Sequence, residues 1–153
     1  KSDFRAAAAY VADHQEALEA DQVAPSEDDL PYGVYLPLTT AGRSSFQDLI
    51  IFQIPYGRYT FDYYFPIETY PQAAGLYTNH RASNGAYLMS EEQAERQMRE
   101  MTEGYDTVWL VATEVPMWDE RNLVQRWLDR QARRVTKAHF HRVDVCRYDL
   151  SAP

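Results

Sequence analysis

The side chains able to do chemistry fall in three short stretches, each just after a predicted strand. Tyr56, Arg58, Tyr59 and Asp62 follow the apolar run 48–54. Asn79, His80 and Arg81 follow a short segment, 74–78. Glu114, Met117 and Trp118 follow the run 106–113. Aromatic rings beside carboxylate, amide and guanidinium groups suit a sugar: ring faces cover its C–H surfaces and the polar groups take its hydroxyls. Arg58 or Arg81 would alternatively meet a phosphate. Asp62 with Glu114, joined by Glu68, offers carboxylates for glycoside hydrolysis. That reaction needs two carboxyls roughly 5–10 Å apart, a spacing sequence does not fix. The plainer reading makes all of these ordinary loop residues and contacts to neighbouring parts.

Other chemistry has less support. His139 and His141 are expected on one face of a strand, the start of a metal pair, but no third ligand lies near them in sequence. Surface histidines are the simpler reading, so no metal is expected. The one cysteine, Cys146, forms no internal disulfide and is expected to be buried and inert. The chain has no Gly-x-Ser-x-Gly elbow, no phosphate loop and no Gly-x-Gly-x-x-Gly after either strong strand. No catalytic residue and no cofactor is assigned.

The elements that must position these residues are easier to read. Asp48–Ile54 is an almost unbroken apolar run, the pattern of a strand buried on both faces. After Pro55 and Gly57, aromatics recur at helical spacing: Phe61 with Tyr64 and Phe65, Tyr59 with Tyr63. Pro66 and Pro71 end that helix. Upstream, Ser2 or Asp3 caps a first helix burying Phe4, Ala7, Ala8 and Val11 and fading between His14 and Ala20. Downstream, Ser90 and Gln93 form a capping box, Ala94 and Met98 continue a buried stripe, and Gly104 closes the helix. Asp106–Thr113 is the second strong strand. Asp119 caps a last helix pairing Leu123 with Trp127 and Val124 with Leu128. Residues 135–150 alternate and predict a hairpin turning near His141–Arg142. Strands separated by helices imply parallel pairing. The expectation is therefore one α/β domain over 1–153: a mainly parallel, Rossmann-like sheet flanked by helices, with a C-terminal antiparallel β-hairpin. Residues 16–45 read as an acidic, loop-rich insertion, either a surface loop or a lid or docking arm carrying Tyr32 and Tyr35.

Composition narrows the partners. The chain has 153 residues, enough for one core, and a formal net charge of -8. That charge disfavours nucleic acid and anionic lipid unless a local basic patch intervenes. With 12 tyrosines, 3 tryptophans and 6 phenylalanines the chain is rich in aromatics, which suit half-buried surfaces and partner contacts. No run is long and apolar enough to span a membrane, and no signal peptide is present. The chain opens on Lys1 and enters a helix at once, so it reads as an excised piece.

The run Phe4-Arg-Ala-Ala-Ala-Ala-Tyr-Val11 resembles the opening helix of the soluble C-terminal domains of multi-spanning membrane glycosyltransferases. These are the enzymes of the dolichyl-phosphate-mannose protein mannosyltransferase-like group, which use polyprenyl-phosphate sugars. Asp48-Leu-Ile-Ile-Phe52 with Phe61-Asp-Tyr-Tyr64, Tyr105-Asp-Thr-Val-Trp-Leu-Val111, and the Trp127-Leu128 helix before a terminal hairpin are similar too. The likeness covers most of the chain except 16–45, where the acidic insertion departs from the compact pattern. It implies a noncatalytic domain on the extracytoplasmic face of the membrane, tethered by transmembrane helices that precede it. In such enzymes the catalytic acids lie on a membrane-helix loop with no counterpart here. The implied partners are the membrane-embedded part of the same polypeptide and a polyprenyl-phosphate sugar or glycan acceptor. The competing functions are a freestanding soluble α/β enzyme acting on carbohydrate and a protein-interaction module.

Overall fold

In a computed structural model the chain is described over residues 2–21, 48–65 and 70–150, the side chains of 15–21 excepted. Two strands form its centre, β1 (Asp48–Phe52) and β3 (Thr107–Ala112). They pair in parallel, Leu49 opposite Val108 and Ile51 opposite Leu110. Every residue of β3 is buried, as a strand covered on both faces must be. β2 (Gln72–Ala74) lies parallel to β1 on its other side. β5 (Val143–Asp149) runs antiparallel to β3, and β4 (Arg134–Phe140) antiparallel to β5. The sheet order is β2-β1-β3-β5-β4.

Side-chain alternation along β1 and β3 divides the core in two. Leu49, Ile51, Val108 and Leu110 pack with Met98 of α3 (Glu91–Thr102) and with Val124 and Leu128 of α5 (Leu123–Gln131). Ile50, Phe52, Trp109 and Val111 pack with Phe4, Ala8 and Val11 of α1 (Phe4–Asp21) and Phe61 of α2 (Gly57–Tyr64). The result is three layers, helix on sheet on helix. The helix ends follow local chemistry. Asp3 Oδ1 accepts the Ala6 N–H at 3.1 Å. Ser90 Oγ accepts the Gln93 N–H and Gln93 Oε1 accepts the Ser90 N–H. Gly104, at φ +85°, ends the third helix in a conformation that favours glycine.

Four expectations need correction. The sheet is mixed, not mainly parallel. The chain turns through His141 and Arg142 with no helix between β4 and β5, so their pairing must be antiparallel. β5 also carries apolar side chains on both faces, Val145 to one core and Cys146 and Tyr148 to the other. It therefore fits against β3 and leaves β4 at the edge. The short strand is Gln72–Ala74, ending where 74–78 was expected to begin. At Gly75 the backbone approaches β1 so closely that a Cβ would sit 2.8 Å from Gln53 Cα, after which the chain leaves the sheet. The first helix continues to Asp21 instead of fading earlier. His139 lies on β4 but His141 lies in the turn, so they do not share a strand face. His139 Nδ1 meets Asp144 Oδ1 at 2.8 Å. Tyr32, Tyr35 and the rest of the insertion beyond Asp21 lie outside the described residues.

Two variants test this packing. Gly75→Ala forces a methyl against the Gln53 backbone and should cost about 1–3 kcal/mol. Thermal unfolding should show Tm falling by several degrees, and an unchanged Tm contradicts the close approach. Tyr148 is buried and its hydroxyl has no hydrogen-bond partner among the described residues. Burial pushes its ionisation far above the ordinary tyrosine range; Cys146 and Asp129 add to this electrostatically without reaching hydrogen-bond geometry. The folded state thus holds this proton more tightly than the unfolded chain does. Its contribution to stability is full below the ordinary tyrosine pKa of about 10 and declines as pH rises above it. Tyr148→Phe should cost no more than about 1 kcal/mol at neutral pH and flatten the alkaline fall in denaturant unfolding. A large loss at neutral pH would reveal a partner for the hydroxyl.

Candidate functional site

The chain leaves β1 through α2 on one face of the sheet and leaves β2 through the third helix on the other. It then returns past β1 to enter β3. β3 in turn leads to α5, on the face opposite α2. β1 and β3 are therefore the neighbours whose following helices diverge, and the crevice beyond the carboxyl ends of such a pair is the usual ligand position in open α/β sheets. The loops after β1 and β3 carry Tyr56 and Glu114.

Those two residues meet. The Tyr56 hydroxyl donates to Glu114 Oε2 at 2.6 Å. Arg142, from the β4–β5 turn, brings its Nη2 to 3.4 Å from the other carboxylate oxygen. Thr113 Oγ1 donates to the Arg142 carbonyl at 2.9 Å. Three loops thus close on one carboxylate. Glu114 and Arg142 both have left-handed backbones, φ +48° and +60°, and each such residue costs roughly 1–2 kcal/mol relative to an ordinary conformation. The hydrogen bond to the Glu114 carboxylate, then partial burial and the same negative charge, hold the Tyr56 hydroxyl above its ordinary pKa. Just below, Gln53 is fully buried, and neither end of its side-chain amide has a partner among the described residues.

The second loop is tied to the third. Asn79 Nδ2 donates to the Pro116 carbonyl and Asn79 Oδ1 accepts the Glu120 N–H, both at 2.8 Å. Arg81 and the Tyr87 hydroxyl both donate to Glu120 Oε1. These bonds, Tyr87 first, hold the Glu120 carboxyl below its usual range. The guanidiniums of Arg81 and Arg121 lie over the Tyr87 ring at 4.1 and 3.8 Å. His80 stacks on Tyr77 at 6.1 Å, and Tyr77 packs at 4.5 Å against Trp118, the last residue of α4 (Val115–Trp118). The Trp118 indole N–H is buried without a partner among the described residues.

The expected residues therefore separate by what they already touch. Asn79 and Arg81 are engaged in holding loops together. Asp62 pairs with Arg58 at 3.2 Å and accepts Gln72 Nε2 at 2.7 Å. Its carboxyl and that of Glu114 have separate partners, and Glu68 lies outside the described residues. Tyr59 points into solvent at 79% exposure. Glu114 and Tyr56 are engaged with each other, and Glu114 with Arg142 as well, so a ligand there would share or displace those bonds. His80 and Trp118 offer ring surfaces. Sequence reasoning missed Gln53, Tyr77, Tyr87, Glu120, Arg121 and Arg142. A lone glutamine ending an apolar strand was the available signal for Gln53. The others are loop residues whose contacts need the fold. Asp119, expected as a helix cap, does accept the Val124 N–H of α5 at 3.0 Å. It also accepts the Thr78 hydroxyl at 2.5 Å, joining the second loop to the helix.

A cleft of about 370 Å³ lies at the opposite end of the sheet, between Glu103, Tyr105, Trp127 and Leu150. It touches none of these loops, and the strand-end position with its convergent polar groups is the stronger site on physical grounds. Among the described residues no three His, Cys, Asp or Glu side chains gather to hold a metal ion. The chain matches no family model, no curated protein and no solved structure.

The Tyr56–Glu114 contact has a direct readout. Glu114→Gln should lower the Tyr56 pKa toward the ordinary tyrosine value, seen by nuclear magnetic resonance titration of ring-labelled tyrosine. An unchanged Tyr56 pKa would show that the carboxylate is not its partner.

Proposed function

We propose that this chain is a noncatalytic α/β domain of a polyprenyl-phosphate-sugar-dependent membrane glycosyltransferase. In this reading it stands on the extracytoplasmic face, tethered by transmembrane helices, and positions the acceptor or donor or stabilises the membrane part. The contact that supports the reading is Tyr56–Glu114–Arg142, just beyond the carboxyl ends of β1 and β3. Ligands in Rossmann-like sheets sit at such a position, and the parallel β2-β1-β3 order is compatible with one. A carboxylate fixed by three loops, with the Tyr77–Trp118 pair at the far end of α4, offers a hydroxyl acceptor and an aromatic surface. That combination suits a sugar ring. Asp62, Glu114 and Glu120 are each hydrogen-bonded, among the described residues, to partners other than a second carboxylate. Among the described residues no helix is long and apolar enough to cross a membrane, so any anchor would be supplied by other segments of the parent protein. The left-handed backbone of Glu114 is the observation that favours a freestanding carbohydrate enzyme instead, since such strain gathers at active sites.

Titration with short glycans and polyprenyl-phosphate sugars, followed in amide spectra, should shift resonances near Tyr77, Glu114 and Trp118. Glu114→Gln should weaken binding by about tenfold, as expected for loss of a hydrogen bond to a charged group. No turnover should accompany binding. Hydrolysis or transfer abolished by Glu114→Gln would establish the enzyme reading. Silence toward all these ligands would remove the positioning role and leave a scaffold.

A further inference from the structure

Six of the eight large apolar side chains left exposed among the described residues fall in two stretches: Tyr56, Tyr59, Tyr63 and Tyr64 on α2 and the residue before it, and Tyr77 and Met117 after β2 and on α4. The others are Leu88 and, on β4, Val135. At 3.6 residues per turn the four α2 tyrosines fall within an arc of about 140°. Phe61 and Phe65 lie on the other side of the helix and are buried. Tyr63 is 82% exposed and Met117 67%, on a chain of net charge -8. Exposed apolar surface gathered in one region marks a contact.

Three arginines of this region are paired with carboxylates of the same region. Arg58 pairs with Asp62, Arg81 with Glu120, and Arg142 with Glu114. By contrast, Glu92, Glu100 and Glu103, on or just after the third helix, have no ion-pair partner among the described residues. Where its charges are paired in this way, the tyrosine-bearing surface suits a neutral partner.

The start of α1 is fixed at this same edge. The Asp3 N–H donates to the His141 carbonyl at 2.9 Å, in the turn beside Arg142. The Phe4 ring lies 3.2 Å from where a Gly57 Cβ would be. At the other end of the sheet, the Leu150 N–H donates to the Asp106 carbonyl at 2.7 Å. A membrane span leading into Lys1 would thus reach the domain on its tyrosine-bearing side.

We infer that this edge rests on the lipid–water interface of a bilayer with zwitterionic headgroups, an inference that rests on the membrane-tethered reading above. Tyrosine suits that zone because its ring enters the apolar boundary while its hydroxyl stays hydrated. Net negative charge turns the domain away from anionic lipid. The orientation also brings Glu114 and the β1/β3 crevice toward the plane where a lipid-linked sugar lies.

The test uses the 153-residue chain with phosphatidylcholine vesicles carrying a small fraction of gadolinium-chelating lipid. Amide resonances of 56–64, 77 and 117 should broaden, and those of 91–103 should not. The Tyr59→Ser, Tyr63→Ser double variant should bind vesicles at least about fivefold more weakly, because interfacial binding scales with buried apolar area. Its Tm should be unchanged, since both side chains lie in solvent. Broadening centred on the third helix or on β4, tighter binding to anionic than to zwitterionic vesicles, or no partition at all overturns the orientation. Hydrophobic spans encoded upstream would keep the glycosyltransferase reading alive after such a result; their lack would remove that reading whatever the vesicles show.

Discussion

The parallel ladder between β1 and β3 has no solvent-facing side. Leu49, Ile51, Val108 and Leu110 pack against one pair of helices, and Ile50, Phe52, Trp109 and Val111 against another. Each such side chain contributes roughly 1.5–3 kcal/mol when fully buried, so the ladder joins both halves of the core and supplies a large share of its favourable energy. Its direction matters as much as its burial. Because the two strands point the same way, the loops leaving them emerge at one edge. Because the helices that follow lie on opposite faces, that edge is where open α/β sheets usually take a ligand.

The edge is held by side chains that join loops to one another. Glu114 receives Tyr56 from the first loop and Arg142 from the hairpin turn. Asn79 and Arg81 bind the second loop to α4 and to Glu120 just after it. Asp119 joins Thr78 to the start of α5. Most of these contacts involve exposed groups, and exposed ion pairs individually stabilise by less than about 1 kcal/mol. Their effect is geometric. They fix Glu114 and the Tyr77–Trp118 surface relative to the strand ends, which is what an ordered binding site requires. The buried, unpartnered amide of Gln53 is the exception, and it sits at the same edge.

The strong strands were legible because burial on both faces leaves an unbroken apolar run, as in Asp48–Phe52 and Thr107–Ala112. The capping box at Ser90 and the glycine at 104 were legible because their chemistry is local. The hairpin showed through alternation and its turn. What sequence concealed was long-range. Nothing local says that β5 lies against β3 and β4 outside it. Gly75 ends the short strand through a backbone approach to Gln53 that only the folded sheet creates. The same limit applied to the site. The strand ends pointed to Tyr56 and Glu114, but Arg142 reaches Glu114 from 28 residues away. Asn79 and Arg81 looked like ligand groups until their hydrogen bonds were seen to hold loops.

Native-state hydrogen exchange measures the foundation of this account most directly. The amides bonded between β1 and β3, among them Gln53 to the Val111 carbonyl, should exchange only through global unfolding, with the highest protection in the domain. The β4–β5 ladder, at the sheet's open edge, should exchange earlier through local opening. If β4 and β5 stay protected while β1 and β3 exchange freely, the central ladder is not what holds the crevice, and the site built on it fails.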